Sequence, residues 1–132
     1  MSKSLHFLLG ALFFLSAIHL SGQTVYVDAT ASGANDGTSW ENAYTSLQDA
    51  LGNVTEGQSI WIAAGDYKPG AAGDAEETTF LIGTAINVYG GFAGTESAID
   101  ERDVATNVTT LNGDLNGDDT AGDYEANKAD NV

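Results

Sequence analysis

The 132-residue sequence has no cysteine, one proline and only four lysine or arginine residues. Each shortage closes off a class of explanation. Without cysteine there is no disulfide framework, no thiolate metal site and no lipid-modified cysteine, so a small exported fold must rest on packing, hydrogen-bond ladders or a hard cation. Four cations against 19 acidic residues, a net charge of −15, exclude nucleic acid as a natural partner, because counterion release from phosphates needs clustered lysine and arginine. Histidine is confined to His6 and His19, both in the stretch from Met1 to Gly22. The remainder therefore has no imidazole for acid–base chemistry or zinc ligation.

That opening stretch, MSKSLHFLLGALFFLSAIHLSG, reads as a secretory signal peptide over 1–22. Lys3 supplies a basic start, Phe7 to Ile18 an apolar run, and Ser21 and Gly22 the small residues of a cleavage site before Gln23. The apolar run is shorter than a bilayer span, which needs about 20 residues, so no stable membrane span is expected after cleavage. The expected destination is secretion or the cell surface, including the outer membrane. Removal leaves Lys68, Arg102 and Lys128 as the cations, and the charge becomes 3 − 19 = −16. Such a balance suits divalent cations, or solubility outside the cell.

Along 23–132, periodicity separates two regions. In 23–57, QTVYVD alternates Val25 and Val27 as a strand does. A glycine-rich loop follows, and then Thr45 to Gln48 offers a capping box ahead of Leu47, Ala50, Leu51 and Val54 at the i, i+3, i+4, i+7 spacing of one helical face. In 58–132 the pattern shifts to short apolar strands between glycine and aspartate turns: SIWIA from Ser59, TTFLI from Thr78, AINVYGGF from Ala85 and VTTL from Val108. Strands this short must stack on others. Ile62, Val88, Leu111 and Val132 recur at nearly even spacing, a period in the twenties that predicts a solenoid. An antiparallel sandwich also uses short strands, at closer spacing.

The order VYVD, DGTSWENAYTSLQDAL, IWIAAGDYKP, INVYGGFAGTE and TTLNGD resembles the amino-terminal portion of right-handed parallel β-helix proteins. These are the pectin-lyase-like superfold of bacterial secreted and surface proteins, akin to polymorphic outer-membrane proteins. The resemblance implies an all-β fold: a few coils of an incomplete right-handed parallel β-helix, with one short amino-terminal capping α-helix. The first strand and the helix over Ser46 to Asn53 cap the open end, and Gly90 and Gly91 allow a sharp corner. The sequence stops where another strand is expected, so it reads as the front end of a longer protein or as a truncated gene product, with marginal stability or self-association expected from the uncovered end.

The stretch LNGDLNGDD carries the candidate metal chemistry. Asp114, Asn116, Asp118 and Glu125 have the oxygen-ligand spacing of a calcium loop. Against an EF-hand, Asp119 stands where the loop needs glycine, and a strand-like segment precedes it where a helix is required. The rival reading is a polar turn between coils. Trp40, Tyr44, Trp61, Tyr67 and Tyr89 are candidates for a sugar-stacking platform, against the alternative that they pack under the helix and between strands. Asn53 and Asn107 open glycosylation sequons, which the bacterial source implied by the resemblance makes chance matches. Lyases of the resembled fold use a basic residue to remove a proton beside a carboxylate, and only Lys68, Arg102 and Lys128 could serve. The expected function is thus non-catalytic: a structural, adhesive or glycan-contacting segment. The alternative is the front of a polysaccharide lyase or hydrolase whose active site lies on later coils, a choice that fold analogy alone does not decide.

Overall fold

Alternation in TVYV buries Val25 and Val27 and turns Tyr26 to the other face, forming strand β1 (Thr24–Val27). The computed structural model describes residues 22–74, 78–83 and 85–119. After β1 come α1 (Leu47–Asn53), β2 (Ser59–Ala63), β3 (Gly65–Tyr67), β4 (Asn87–Phe92) and β5 (Thr109–Leu111), with a 3₁₀ turn at Ile99–Glu101. One sheet has the order β1-β2-β4, the other pairs β3 with β5, and each of these pairings is parallel. The chain is a mostly-β fold of parallel strands with one helix.

Ala64 makes the corner between the sheets. Its N–H donates to the Phe92 carbonyl (2.8 Å), and the next N–H, of Gly65, donates to Val108 (3.0 Å). The two short strands from SIWIAAGDY therefore each meet a different strand of the following turn of chain. In register, Val25, Ile60 and Val88 form one column, and Tyr67 and Leu111 another. The core comprises Val25, Val27, Leu47, Ala50, Ile60, Ile62 and Tyr67. Helix α1 closes one end, with Leu47 and Ala50 buried and Leu51 and Val54 partly so. Its cap is Ser46, whose hydroxyl accepts from Asp49 N–H (3.3 Å). The sequence pattern places the cap at Thr45, but the Thr45 N–H is bound to the side chain of Asn35 (2.8 Å).

The outer edge of β1 is closed by the loop that follows it. Tyr26 N–H donates to Gly37 (3.0 Å), and the Tyr26 carbonyl accepts from Tyr44 (2.9 Å), whose own carbonyl accepts from Asp28 (2.9 Å). At the far end β4 pairs with β2 and β5 with β3, and neither pairs further among the described residues. In a parallel ladder one residue directs both backbone groups to the same neighbour, and the next directs both away. Asn87 donates to Gln58 and Asn112 to Tyr67, so Val88, Gly90, Thr109 and Leu111 turn their backbone groups to the open side.

Three features of the sequence reading are corrected here. Thr78 to Ile82 forms no strand, and Leu81 and Ile82 are exposed; both edges of β2 are already taken by β1 and β4. The even period fails as well. Val88 aligns with Ile60, whereas Leu111 aligns with Tyr67, across a much longer stretch of chain. The loop joining β4 to β5 accounts for the longer interval, and Val132 lies outside the described residues. The corner expected at Gly90 and Gly91 does not break the strand, because β4 runs on through both to Phe92. Gly91 takes φ +95°, a value that disfavours any β-carbon, at an irregularity in the β2–β4 register.

The outward face is covered too. Tyr26, Trp40, Phe92 and Trp61 form a closed ring of aromatic contacts, with Trp61 stacked on Phe92 at 4.7 Å and Trp40 edge-on to Tyr26 at 4.8 Å. Trp40 Nε1 donates to the Glu96 carbonyl (2.8 Å), tying the loop after β1 to the loop after β4.

Candidate functional site

Strand β5 ends by handing its ladder to a side chain. Asn112 N–H donates to Tyr67 (2.8 Å), Asn112 Nδ2 to Asp66 Oδ2 (3.0 Å), and Asn112 Oδ1 accepts from Asp114 N–H (2.9 Å). Asp114 then draws the loop around its own carboxylate. Oδ1 accepts from Gly117 (2.6 Å) and Asp118 (3.2 Å), and Oδ2 from Asp119 (3.3 Å). Leu115 is buried, and its carbonyl accepts from Lys68 Nζ (3.2 Å). Burial raises the Asp114 pKa, but the three backbone N–H groups and the nearby charge of Lys68 outweigh it and hold the carboxyl below its ordinary range.

Carboxylate oxygens of Asp114, Asp118 and Asp119 lie within 4.8 Å of one another. This is an exposed acidic triad able to hold a hard cation, of whose usual six to eight oxygens it could supply three. Of the calcium residues expected from sequence, Asp114 and Asp118 are brought together. Asn116 instead accepts Gly73 N–H through Oδ1 (3.2 Å), and Glu125 lies outside the described residues. Asp119, which the sequence reading counts against a calcium loop, joins the cluster because the loop curls around Asp114.

What sequence reasoning missed is that other acidic residues work in the same way. Glu96 accepts from the N–H groups of Ala93 (2.6 Å), Gly94 (3.1 Å) and Thr95 (2.9 Å). Glu101 holds Ser97 and Ala98, Asp103 holds Ala105 and Thr106, and Asp36 holds Thr38 through N–H and hydroxyl. Much of the acidity thus closes turns. The signal was readable as aspartate two or three residues before threonine, at Asp28, Asp36 and Asp103.

A pH dependence follows. Hydrogen bonds from Thr38 lower the Asp36 pKa, those from Ser97 and Ala98 lower Glu101, and those from Thr106 lower Asp103. In Glu96 burial raises the pKa, and the loop N–H groups outweigh it. A carboxyl whose folded pKa is depressed stabilises the fold above its unfolded value and loses that contribution as pH falls through the folded value. Thermal melts are expected to be level from neutral pH to the ordinary values of 4.5 for glutamate and 3.8 for aspartate, and to fall below them. A melting temperature that rises on acidification through that window contradicts the assignment.

The remaining candidates are placed as follows. Trp61 and Tyr67 are buried, so the five aromatic residues present no common stacking face. Tyr67 donates its hydroxyl to Ala63 (3.1 Å) and accepts from Ala29 N–H (3.4 Å). Arg102 lies over the Tyr89 ring at 5.3 Å, Lys68 is bound to the Leu115 carbonyl, and Lys128 is outside the described residues. No helix among the described residues is long and apolar enough to cross a membrane. Comparison with protein-family models, curated proteins and solved structures finds no match to this chain.

Proposed function

We propose that the chain is the capped beginning of a right-handed parallel β-helix, exported to the cell exterior, with a structural role in displaying a rigid surface for adhesion or glycan contact. The observation that carries this reading is the difference between the two ends of the core columns. Tyr67 is 3% exposed while Leu111, the next residue of its column, is 47% exposed, and Ile60 is fully buried while Val88 is only partly so. The β1 edge is sealed by residues 37–44 and, among the described residues, the β4–β5 edge is not, which supports a stack that begins at one end and continues at the other. Calcium enters as a staple for the acidic loop. A saturable titration heat, lost in Asp114→Ala plus Asp118→Ala, tests that part.

The reading as a whole is tested by sedimentation velocity of the chain freed of residues 1–22. Weight-average sedimentation is expected to grow with concentration, as uncovered β4 and β5 edges pair, and Leu111→Glu is expected to shift the distribution toward monomer. A sharp monomer boundary at every concentration contradicts an uncovered coil end.

A further inference from the structure

The chain has three glutamine residues, Gln23, Gln48 and Gln58, and the fold engages the side chains of two of them. Gln48 Nε2 donates to the Thr79 carbonyl (3.0 Å), and Gln58 Oε1 accepts from the N–H (2.7 Å) and the hydroxyl (2.9 Å) of Thr55. Gln23 differs. It is exposed, and among the described residues only its backbone carbonyl is hydrogen-bonded, accepting Ser59 N–H (3.4 Å) one residue before β1 begins.

We propose, resting on the exported reading and its cleavage before Gln23, that Gln23 is a modification site: it closes on itself to pyroglutamate, and the mature chain begins with a neutral lactam in place of a charged amine. Cleavage turns the Gln23 nitrogen from a peptide N–H into a primary amine, whose ordinary pKa of about 7.7–8.0 leaves an unprotonated, nucleophilic fraction at neutral pH. Nucleophile and target then belong to one residue, so neither has to be brought to the other.

The step balances without any oxidant, reductant or second substrate. The amine nitrogen forms a bond to the side-chain Cδ, the proton it gives up passes to the side-chain nitrogen of the tetrahedral adduct, and that nitrogen leaves as ammonia. The ring so formed contains N, Cα, Cβ, Cγ and Cδ, and the carbonyl that accepts from Ser59 is outside it. Closure therefore proceeds with β1 in place on β2. A side chain held as those of Gln48 and Gln58 are would first have to give up its bond, whereas that of Gln23 has none to release among the described residues.

The consequence is protective. Gln23 and Thr24 are all that precede Val25, a buried residue of the core, in the mature chain. An exopeptidase that requires a free amine is refused at the lactam, and the strand whose edge is sealed by residues 37–44 keeps its leading end.

The experiment exports the full 132-residue chain from a bacterial host and follows the mass of its amino-terminal peptide, fresh and during incubation at neutral pH, folded and in guanidinium chloride. A peptide that starts at residue 23 and is lighter than the open form by one ammonia is expected to accumulate to completion, at similar rates in the folded and unfolded chains. Gln23→Asn, whose shorter side chain cannot close an unstrained ring, is expected to keep its amine and to lose residue 23 to an aminopeptidase that leaves the cyclised chain intact. A start at any other residue overturns the cleavage site and the proposal together. A start at residue 23 with the amine retained after incubation overturns the proposal alone. So does a folded chain that closes about tenfold or more slowly than the unfolded one, the effect of a hydrogen bond holding the side chain. These readouts come from the unsubstituted chain, so they stand whatever Gln23→Asn does to export.

Discussion

Phe92→Ala is expected to destabilise the fold by about 3–5 kcal/mol, the usual cost of deleting a buried aromatic side chain. Phe92 is fully buried. Its ring stacks on Trp61 at 4.7 Å and leans on Trp40 at 5.6 Å. Its carbonyl also receives the Ala64 N–H that turns the corner between the sheets. Alanine removes two sides of the four-ring cluster while leaving the backbone able to pair, so the loss is one of packing. Stabilities of small domains lie at about 5–15 kcal/mol, which makes this a large fraction of the total. Urea unfolding followed by tryptophan fluorescence measures it, with a lowered midpoint and an unchanged slope. Phe92→Leu, which keeps most of the volume, is expected to cost less than Phe92→Ala. Equal losses for leucine and alanine contradict a packing origin.

The second large effect is expected at Gly37→Ala, at about 2–4 kcal/mol from strain and overpacking together. Gly37 is buried with φ +73°, a region that costs an L-residue about 1–2 kcal/mol. A β-carbon there also lands 2.6 Å from the Tyr44 ring and 3.0 Å from Val25, and overpacking of this kind costs about 1–3 kcal/mol. The position matters beyond its own contacts, because the Gly37 carbonyl accepts from Tyr26 N–H and so seals the β1 edge. The variant is therefore expected to speed amide exchange at Tyr26 as well as lower the melting temperature. Gly57→Ala is the natural control, since Gly57 also has a positive φ, +84°, but nothing lies within 4 Å of its β-carbon position. A Gly57→Ala cost as large as that of Gly37→Ala contradicts the steric argument.

Local pattern made several elements legible. Val25 and Val27 in alternation marked β1, the Leu47, Ala50, Leu51 and Val54 stripe marked α1, and SIWIA, NVYGGF and TTL marked β2, β4 and β5 in place. What failed depended on distant parts of the chain. TTFLI has strand propensity, yet no sheet edge is free beside β2; Gln48 Nε2 holds the Thr79 carbonyl (3.0 Å) and Phe80 packs on the core without a ladder. The supposed even period mixed two columns, because Ile62 belongs to the β1-β2-β4 sheet and Leu111 to the other. The site was half legible. Alternating acids marked Asp114 and Asp118, but Asp119 joins them as its N–H bonds to Asp114, and Asn116 reaches Gly73, far back in the chain. The aromatic ring was likewise invisible, since it joins residues from four separate segments.

Parallel strands run from a sealed edge at β1 to edges of β4 and β5 that are unpaired among the described residues, and amide hydrogen exchange at single-residue resolution tests the proposed order most directly. Slow exchange is expected at Asn87, Tyr89, Thr110 and Asn112, whose N–H groups point to the neighbouring rung, and at Tyr26, which the 37–44 loop covers. Fast exchange is expected at Val88, Gly90, Thr109 and Leu111, measured at a concentration low enough to keep the chain monomeric. Equal protection of both sets of β4 and β5 positions, or fast exchange at Tyr26, contradicts a stack sealed at one edge and open at the other.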